Sequence, residues 1–221
     1  MQKPPNFIQL LIFALTLIVL LILVQIGVIS IAMDKLGLSD HSVILILAAS
    51  LIGSFINLPL FTITGKAVPD TPSTAKSKIL FAALPPYTGK TIIAINVGGA
   101  IIPICISTYL LHIYSLPILE TLMAIGLVGL VSYLFSRPVQ GIGIGIPIFV
   151  APVTAAITAI LLEPTHTAAM AYTAGTLGIL IGADILRLNT IRSMATSIAS
   201  IGGAGTFDGV FLTGIFAVLL I

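Results

Sequence analysis

Phe7 to Ala32 reads FIQLLIFALTLIVLLILVQIGVISIA, twenty-six residues without a charge. Wound as a helix rising about 1.5 Å per residue, it is longer than the roughly 30 Å hydrocarbon core of a bilayer and spans it with some tilt. Lys3 and the Pro4-Pro5 pair precede it. A cleaved signal peptide has a shorter apolar region and a small-residue cleavage site, and this run has neither pattern. It is therefore expected to be a retained first membrane helix.

The rest of the chain has the same character. Of 221 residues, 58% are hydrophobic and 7% charged, with a mean hydropathy of +1.23. A soluble domain carries about 25% charged residues. The composition implies a polytopic membrane protein whose first partner is the lipid bilayer. A net charge of +2, with the basic residues scattered between apolar runs, gives no surface for nucleic acid. The single cysteine, Cys105, lies in an apolar run and has no intrachain disulfide partner. With no tryptophan, the interfacial anchors fall to Tyr, Lys and Arg.

Seven runs follow one another along the chain, predicting one all-α domain, a transmembrane bundle with spans near 7–32, 43–62, 91–112, 118–135, 142–162, 168–185 and 205–221. Asp40 is placed to cap the second helix. Residues 64–90 form the longest polar segment. At Gly141-Ile142-Gly143-Ile144-Gly145-Ile146-Pro147 the alternation suits extended backbone as well as helix, which is tolerated at membrane depth only if buried in protein or facing a wet cavity. With the N-terminus in the cytoplasm, Lys3, Lys66, Lys76, Lys78, Lys90, Arg137, Arg187 and Arg192 fall inside and only Lys35 outside. That bias fits a multi-pass protein of the cell membrane, and six or eight spans would spoil it.

The three helices entering from the cytoplasm after the polar loop all begin glycine-rich: Asn96-Val97-Gly98-Gly99, Gly141 to Pro147, and Gly202 to Gly209. Pro103 and Pro147 share a local context, which suggests that spans three-four and five-six are a duplicated hairpin. Simple enrichment of Gly and Pro in membrane helices gives the same pattern.

Two aspartates stand out because carboxylates in lipid are costly and so mark functional sites. Counted from Ala168, Asp184 lies about 24 Å along its helix; counted from Ile221, Asp208 lies roughly 20 Å along the next. Both fall in the cytoplasmic third of antiparallel neighbours. If they face each other they share a proton, one acting as base toward water while the other protonates a carbonyl. Gly202, Gly203, Gly205 and Gly209 then admit a substrate backbone.

An Asp on one helix and a second after a glycine-rich entry resembles the intramembrane aspartyl proteases, the presenilin, signal-peptide-peptidase and prepilin-peptidase group. That resemblance implies hydrolysis of membrane peptides with Asp184 and Asp208 as the dyad. It covers about residues 180–212. It departs from the pattern where Gly205-Thr206-Phe207 replaces Gly-x-Gly before Asp208 and Ala183 replaces Tyr before Asp184. Across its whole length, with Asn96-x-Gly-Gly, the Gly-Ile-Gly-Ile-Pro run and Gly-Thr-Phe-Asp-Gly, the chain looks like an uncharacterised family of bacterial and archaeal membrane proteins.

The same residues support other readings. Asp184 stands three positions before Arg187, a spacing at which helical side chains meet in an ion pair. Glycine-rich helix starts, Asn96, and the charge of Arg187 from the same side suit a proton-coupled transporter or a lipid- or anion-binding protein centred on Asp208. The histidines are scattered, so no metal is expected, and no sequence motif calls for an organic cofactor. Substrate and oligomeric state stay open.

Overall fold

A computed structural model describes residues 7–25, 27–65, 87–139, 143–194, 196–203 and 209–221. The protein is mostly helical, with strands where three of the expected spans begin or end. The opening run forms α1 (Phe7–Gln25) and, after a break at Gly27 with φ 79°, α2 (Val28–Lys35). A single helix to residue 32 is thus corrected, because a left-handed residue cannot continue a right-handed helix. The next helix, α3 (Asp40–Gly53), is capped by Ser39, whose side chain accepts from the Ser42 N–H; Asp40 is its first helical residue rather than its cap.

The second and third expected spans are each part strand. Beyond α3 the chain extends as β1 (Asn57–Thr64), and the segment before Gly98 is β2 (Lys90–Asn96). They pair antiparallel from Asn57 opposite Asn96 to Thr64 opposite Lys90, with a bulge between Pro59 and Phe61. Pro59 has no N–H to give a ladder, and β1 is an edge strand, where that is tolerated. On the other side β2 pairs in parallel with β5 (Ile198–Ile201), so the sheet order is β1-β2-β5. After β2, a π-helical turn at Val97–Ile101 leads into α4 (Ile102–Ile113).

The helix α5 (Ile118–Phe135) runs as expected and ends in a hairpin of β3 (Arg137–Val139) and β4 (Gly143–Gly145). The extended reading of the Gly-Ile alternation holds for β4. The helix α6 (Val150–Leu162) follows it, then α7 (Thr167–Ile179), which continues as a π-helical segment, Leu180–Ile185. A short α8 (Leu188–Ile191) precedes β5, and α9 (Gly209–Leu219) ends the described chain. Pro103 sits in the first turn of α4, whereas Pro147 lies in the connection before α6, so their shared sequence context is folded differently.

The bundle is organised on α7, which packs against α4, α5, α6 and α9. Its Gly and Ala content sets the distances. A Cβ on Gly178 would stand 2.6 Å from the Val128 Cβ, and one on Gly182 would strike the Gly129 carbonyl of α5. One side of α7 joins an alanine-rich core with Ala124, Val128, Ala155, Ala159, Met170, Ala171 and Ala174. The other joins larger residues, Tyr172 among Met33, Leu47, Leu110, Phe211 and Ile215.

Among the described residues, two helices are long and apolar enough to cross a membrane, Ile118–Phe135 and Thr167–Ile191. The runs 11–22, 41–53, 97–113, 150–162 and 209–219 are apolar but shorter. The described helices therefore do not confirm seven full-length helical spans. An apolar run without internal polarity is read equally well by a strand, and pairing with β2 decides it for residues 57–64.

Candidate functional site

The site forms where both π-helical segments meet the turn after β5. Asn96 is fully buried and caps the first of them: its Oδ1 accepts from the Gly99 N–H at 2.7 Å. Its Nδ2 donates to the Ser54 carbonyl at 2.6 Å and to Asn57 Oδ1 at 3.1 Å. Asn57 Oδ1 also accepts from Ser200 Oγ at 2.6 Å. One chain of polar contacts thus ties all three strands to the start of α4. Ser50 Oγ adds a 2.6 Å bond to the Gly98 carbonyl, where glycine lets α3 come close.

Gly202 closes the site. With φ 78° it turns the chain out of β5, and a Cβ there would meet the Gly99 carbonyl carbon at 2.6 Å and the Ala100 N at 2.7 Å. Its N–H donates to Asp184 Oδ2 at 2.7 Å. Asp184 belongs to the second π-helical segment and is partly buried. The extra residue of a π turn widens the helix, a feature often found at functional sites. Here two such turns converge on one glycine and one carboxylate.

Arg187 follows Asp184 closely but its described contacts run elsewhere. Nη2 donates to the Tyr133 carbonyl at 2.6 Å and to the Ser136 carbonyl at 3.0 Å, Nε donates to Ser136 Oγ at 3.0 Å, and the guanidinium lies 4.2 Å over the Tyr133 ring. It closes the carbonyl end of α5, where a cation is favoured.

The expected site residues thus divide. Asp184, Gly202 and Asn96 come together around the start of α4, and Arg187 sits behind Asp184 on α5. Gly203 continues the turn with φ 90°. Gly209 opens α9 and lines a cavity of about 220 Å³ with Ile146, Pro147, Ile179 and Thr213. Asp208 and Gly205, the other half of the expected dyad, lie outside the described residues, as does the polar segment 66–86. Sequence reading missed Asn57, Ser200, Tyr133 and Ser136, whose parts depend on strand register and helix packing. Asn57 was the one with a signal, a polar residue ending an apolar run.

Among the described residues the basic side chains separate by end. Lys90, Arg137, Arg187 and Arg192 lie at the sheet end of the bundle. Lys35 lies at the opposite end, beside Tyr114 and His166, whose rings meet edge to face at 5.0 Å. Among the described residues no group of three or more His, Cys, Asp or Glu is placed to hold a metal ion.

No curated protein and no solved structure matches the chain. A family model does, over residues 51–220, and it gives no support to the resemblance to intramembrane aspartyl proteases. The matched region contains the three-stranded sheet, both π-helical segments and Asp184. The chain belongs to the family described as protein of unknown function (DUF1614).

Proposed function

We propose that the protein is a multi-pass integral protein of the cell membrane, with its sheet end in the cytoplasm, and that it is a proton-coupled transporter using Asp184 as a proton-binding carboxylate. The membrane reading is supported by the inside-out distribution of side chains on α5. Its buried face is small or hydroxylated: Thr121, Ala124, Val128, Gly129 and Ser132. Its large apolar residues point out, with Leu119, Leu122 and Leu134 between 61% and 66% exposed. Water disfavours that arrangement, whereas lipid tails accept the outer Leu and small residues let helices pack closely. The separation of basic residues by end supports the orientation.

The seven apolar runs are read as seven passes. The shorter helices are accommodated by local thinning of the bilayer or by entry of their adjoining segments. Reporters inserted at residues 37, 75, 115, 140 and 165 are expected to alternate outside, inside, outside, inside, outside. Finding 37 and 75 on one side sinks the topology.

One observation carries the transporter reading: the π-helical start of α4 and the π-helical end of α7 meet at Gly202 and a partly buried carboxylate, and charge set at helix ends is what transporters present to a solute. The test is solute-driven proton movement in dye-loaded proteoliposomes, screened over amino acids, sugars, nucleosides and inorganic anions. At least one solute is expected to move protons with the native protein and none with Asp184→Asn. Persistence in Asp184→Asn, or no response to any solute, defeats the reading.

A peptidase is the second reading. It is favoured by the Gly202 bond to Asp184, which fixes the chain six residues before Asp208. The same preparations, offered a library of membrane peptides, distinguish it: cleavage abolished by both Asp184→Asn and Asp208→Asn selects the peptidase.

A further inference from the structure

The interface of α7 with α4 and α9 carries a set of hydroxyls that the site at Asp184 does not use. Of these helices, α4 and α7 are antiparallel, because Tyr114 and His166 meet at one end while Gly202 touches Ala100 and bonds Asp184 at the other. Ser107 is seven residues before Tyr114 and Thr173 seven after His166. At about 1.5 Å per residue both lie about 10 Å from the paired rings, at one level. Tyr172, Thr173 and Thr176, with Ala169, occupy one face of α7 about 100° wide. Ser107 lies on the buried face of α4 with Pro103, Ile106 and Leu110.

All four hydroxyl-bearing residues are completely buried; the Ser107 and Thr173 hydroxyls have no hydrogen-bond partner, and those of Tyr172 and Thr176 have none beyond each other. The Tyr172 and Thr176 hydroxyls face each other one turn apart. Thr176 Oγ1 fills the space that a Cβ on Gly214 would need. Elsewhere the chain treats helical threonines differently: Thr108, Thr121, Thr154 and Thr158 each donate to the carbonyl four residues back at 2.7–2.9 Å. In the seam that default is given up at Thr173 and Thr176. Buried polar groups are bonded to protein or to ordered water, and a cluster of them is where internal water is held.

We infer that the seam of α7 with α4 and α9 is a hydrated site, where Ser107, Tyr172, Thr173 and Thr176 bind water midway along the bundle and offer it to a small, uncharged, hydrogen-bonding solute. The four groups are neutral and each both donates and accepts, which suits a solute with both kinds of group rather than an ion. A cavity of about 220 Å³ lined by Lys35, Tyr114, His166 and Ala169 lies at the Tyr114 end of the same seam. The use of the seam as a solute path rests on the transporter reading; its hydration does not.

The test uses the full chain with Cys105→Ser, which removes its one cysteine. Single cysteines replace Ser107, Thr173 and Thr176, with Ala171→Cys and Ala174→Cys as controls in the alanine-rich core. A small charged thiosulfonate, which reacts only with thiols in contact with water, is expected to modify the three seam cysteines at least about tenfold faster than the controls. Equal rates, or no reaction at the seam, overturn the inference. Ser107→Ala and Thr176→Val give an independent reading through thermal stability. Water that loses a partner leaves the midpoint unchanged or lower; a rise of about 2–4 °C in both, the relief of dry unpartnered hydroxyls, also overturns it. Neither measurement involves Asp184 or transport, so the seam and the transporter reading fail separately.

Discussion

The Gly202 N–H donates to Asp184 Oδ2 across 2.7 Å, joining the turn after β5 to the π-helical end of the central helix. A carboxylate that accepts from a backbone N–H is both a latch and a charge, and substitution separates the two. Asp184→Ala leaves that N–H without its acceptor and is expected to cost about 1–3 kcal/mol. Asp184→Asn keeps an acceptor oxygen and is expected to cost less than 1 kcal/mol. Denaturation in detergent measures both. If Asn is as damaging to the fold as Ala, loss of transport in Asp184→Asn says nothing about proton binding.

Gly202 itself is constrained twice, by its φ of 78° and by the backbone of Gly99 and Ala100. Gly27 has nearly the same φ, 79°, but nothing within 4 Å of a Cβ. Gly27→Ala is therefore expected to lose only the left-handed penalty, about 1–2 kcal/mol. Gly202→Ala adds overpacking of about 1–3 kcal/mol. Comparable thermal midpoints for the two variants contradict the close approach.

Arg187 offers its planar fork to two carbonyls and a hydroxyl at the end of α5. A lysine at this position provides one charge without the fork. Arg187→Lys is expected to destabilise by about 1–2 kcal/mol, and Tyr133→Leu, which removes only the stacked ring, by about 0.5–1 kcal/mol. The two losses should be less than additive in a double-mutant cycle, since both residues share one contact.

Gly178 and Gly182 let α7 lie against α5. Gly178→Ala meets a side chain, Val128, and Gly182→Ala meets the Gly129 backbone. Each is expected to cost about 1–3 kcal/mol. Val128→Ala should restore much of the stability of Gly178→Ala and little of that of Gly182→Ala. Equal rescue places the contact elsewhere.

The candidate site was legible only in pieces. Asp184 drew notice because a carboxylate in an apolar run is rare, and Asn96 because it precedes two glycines. Their true relation was hidden, since the N–H that donates to Asp184 comes from a turn eighteen residues away and the amide of Asn96 is held by Asn57, thirty-nine residues back. The ion pair suggested by the three-residue spacing of Asp184 and Arg187 was a local inference. The contacts of the guanidinium with Tyr133 and Ser136 at the end of α5 come from packing and had no local signal.

By itself the sequence determined the apolar class of the chain and the helices α5 and α7, because each follows from local composition or spacing; the Gly-Ile run left strand and helix both open. Tertiary structure alone decided that residues 57–64 and 90–96 are strands, that β5 joins them from more than one hundred residues away, and that two helices end in π turns around one glycine. The physical reason is the same in each case. An apolar run lowers its free energy as a helix or as a strand, and only a partner brought from elsewhere in the chain, with backbone N–H and C=O groups to satisfy, makes one of them the better solution.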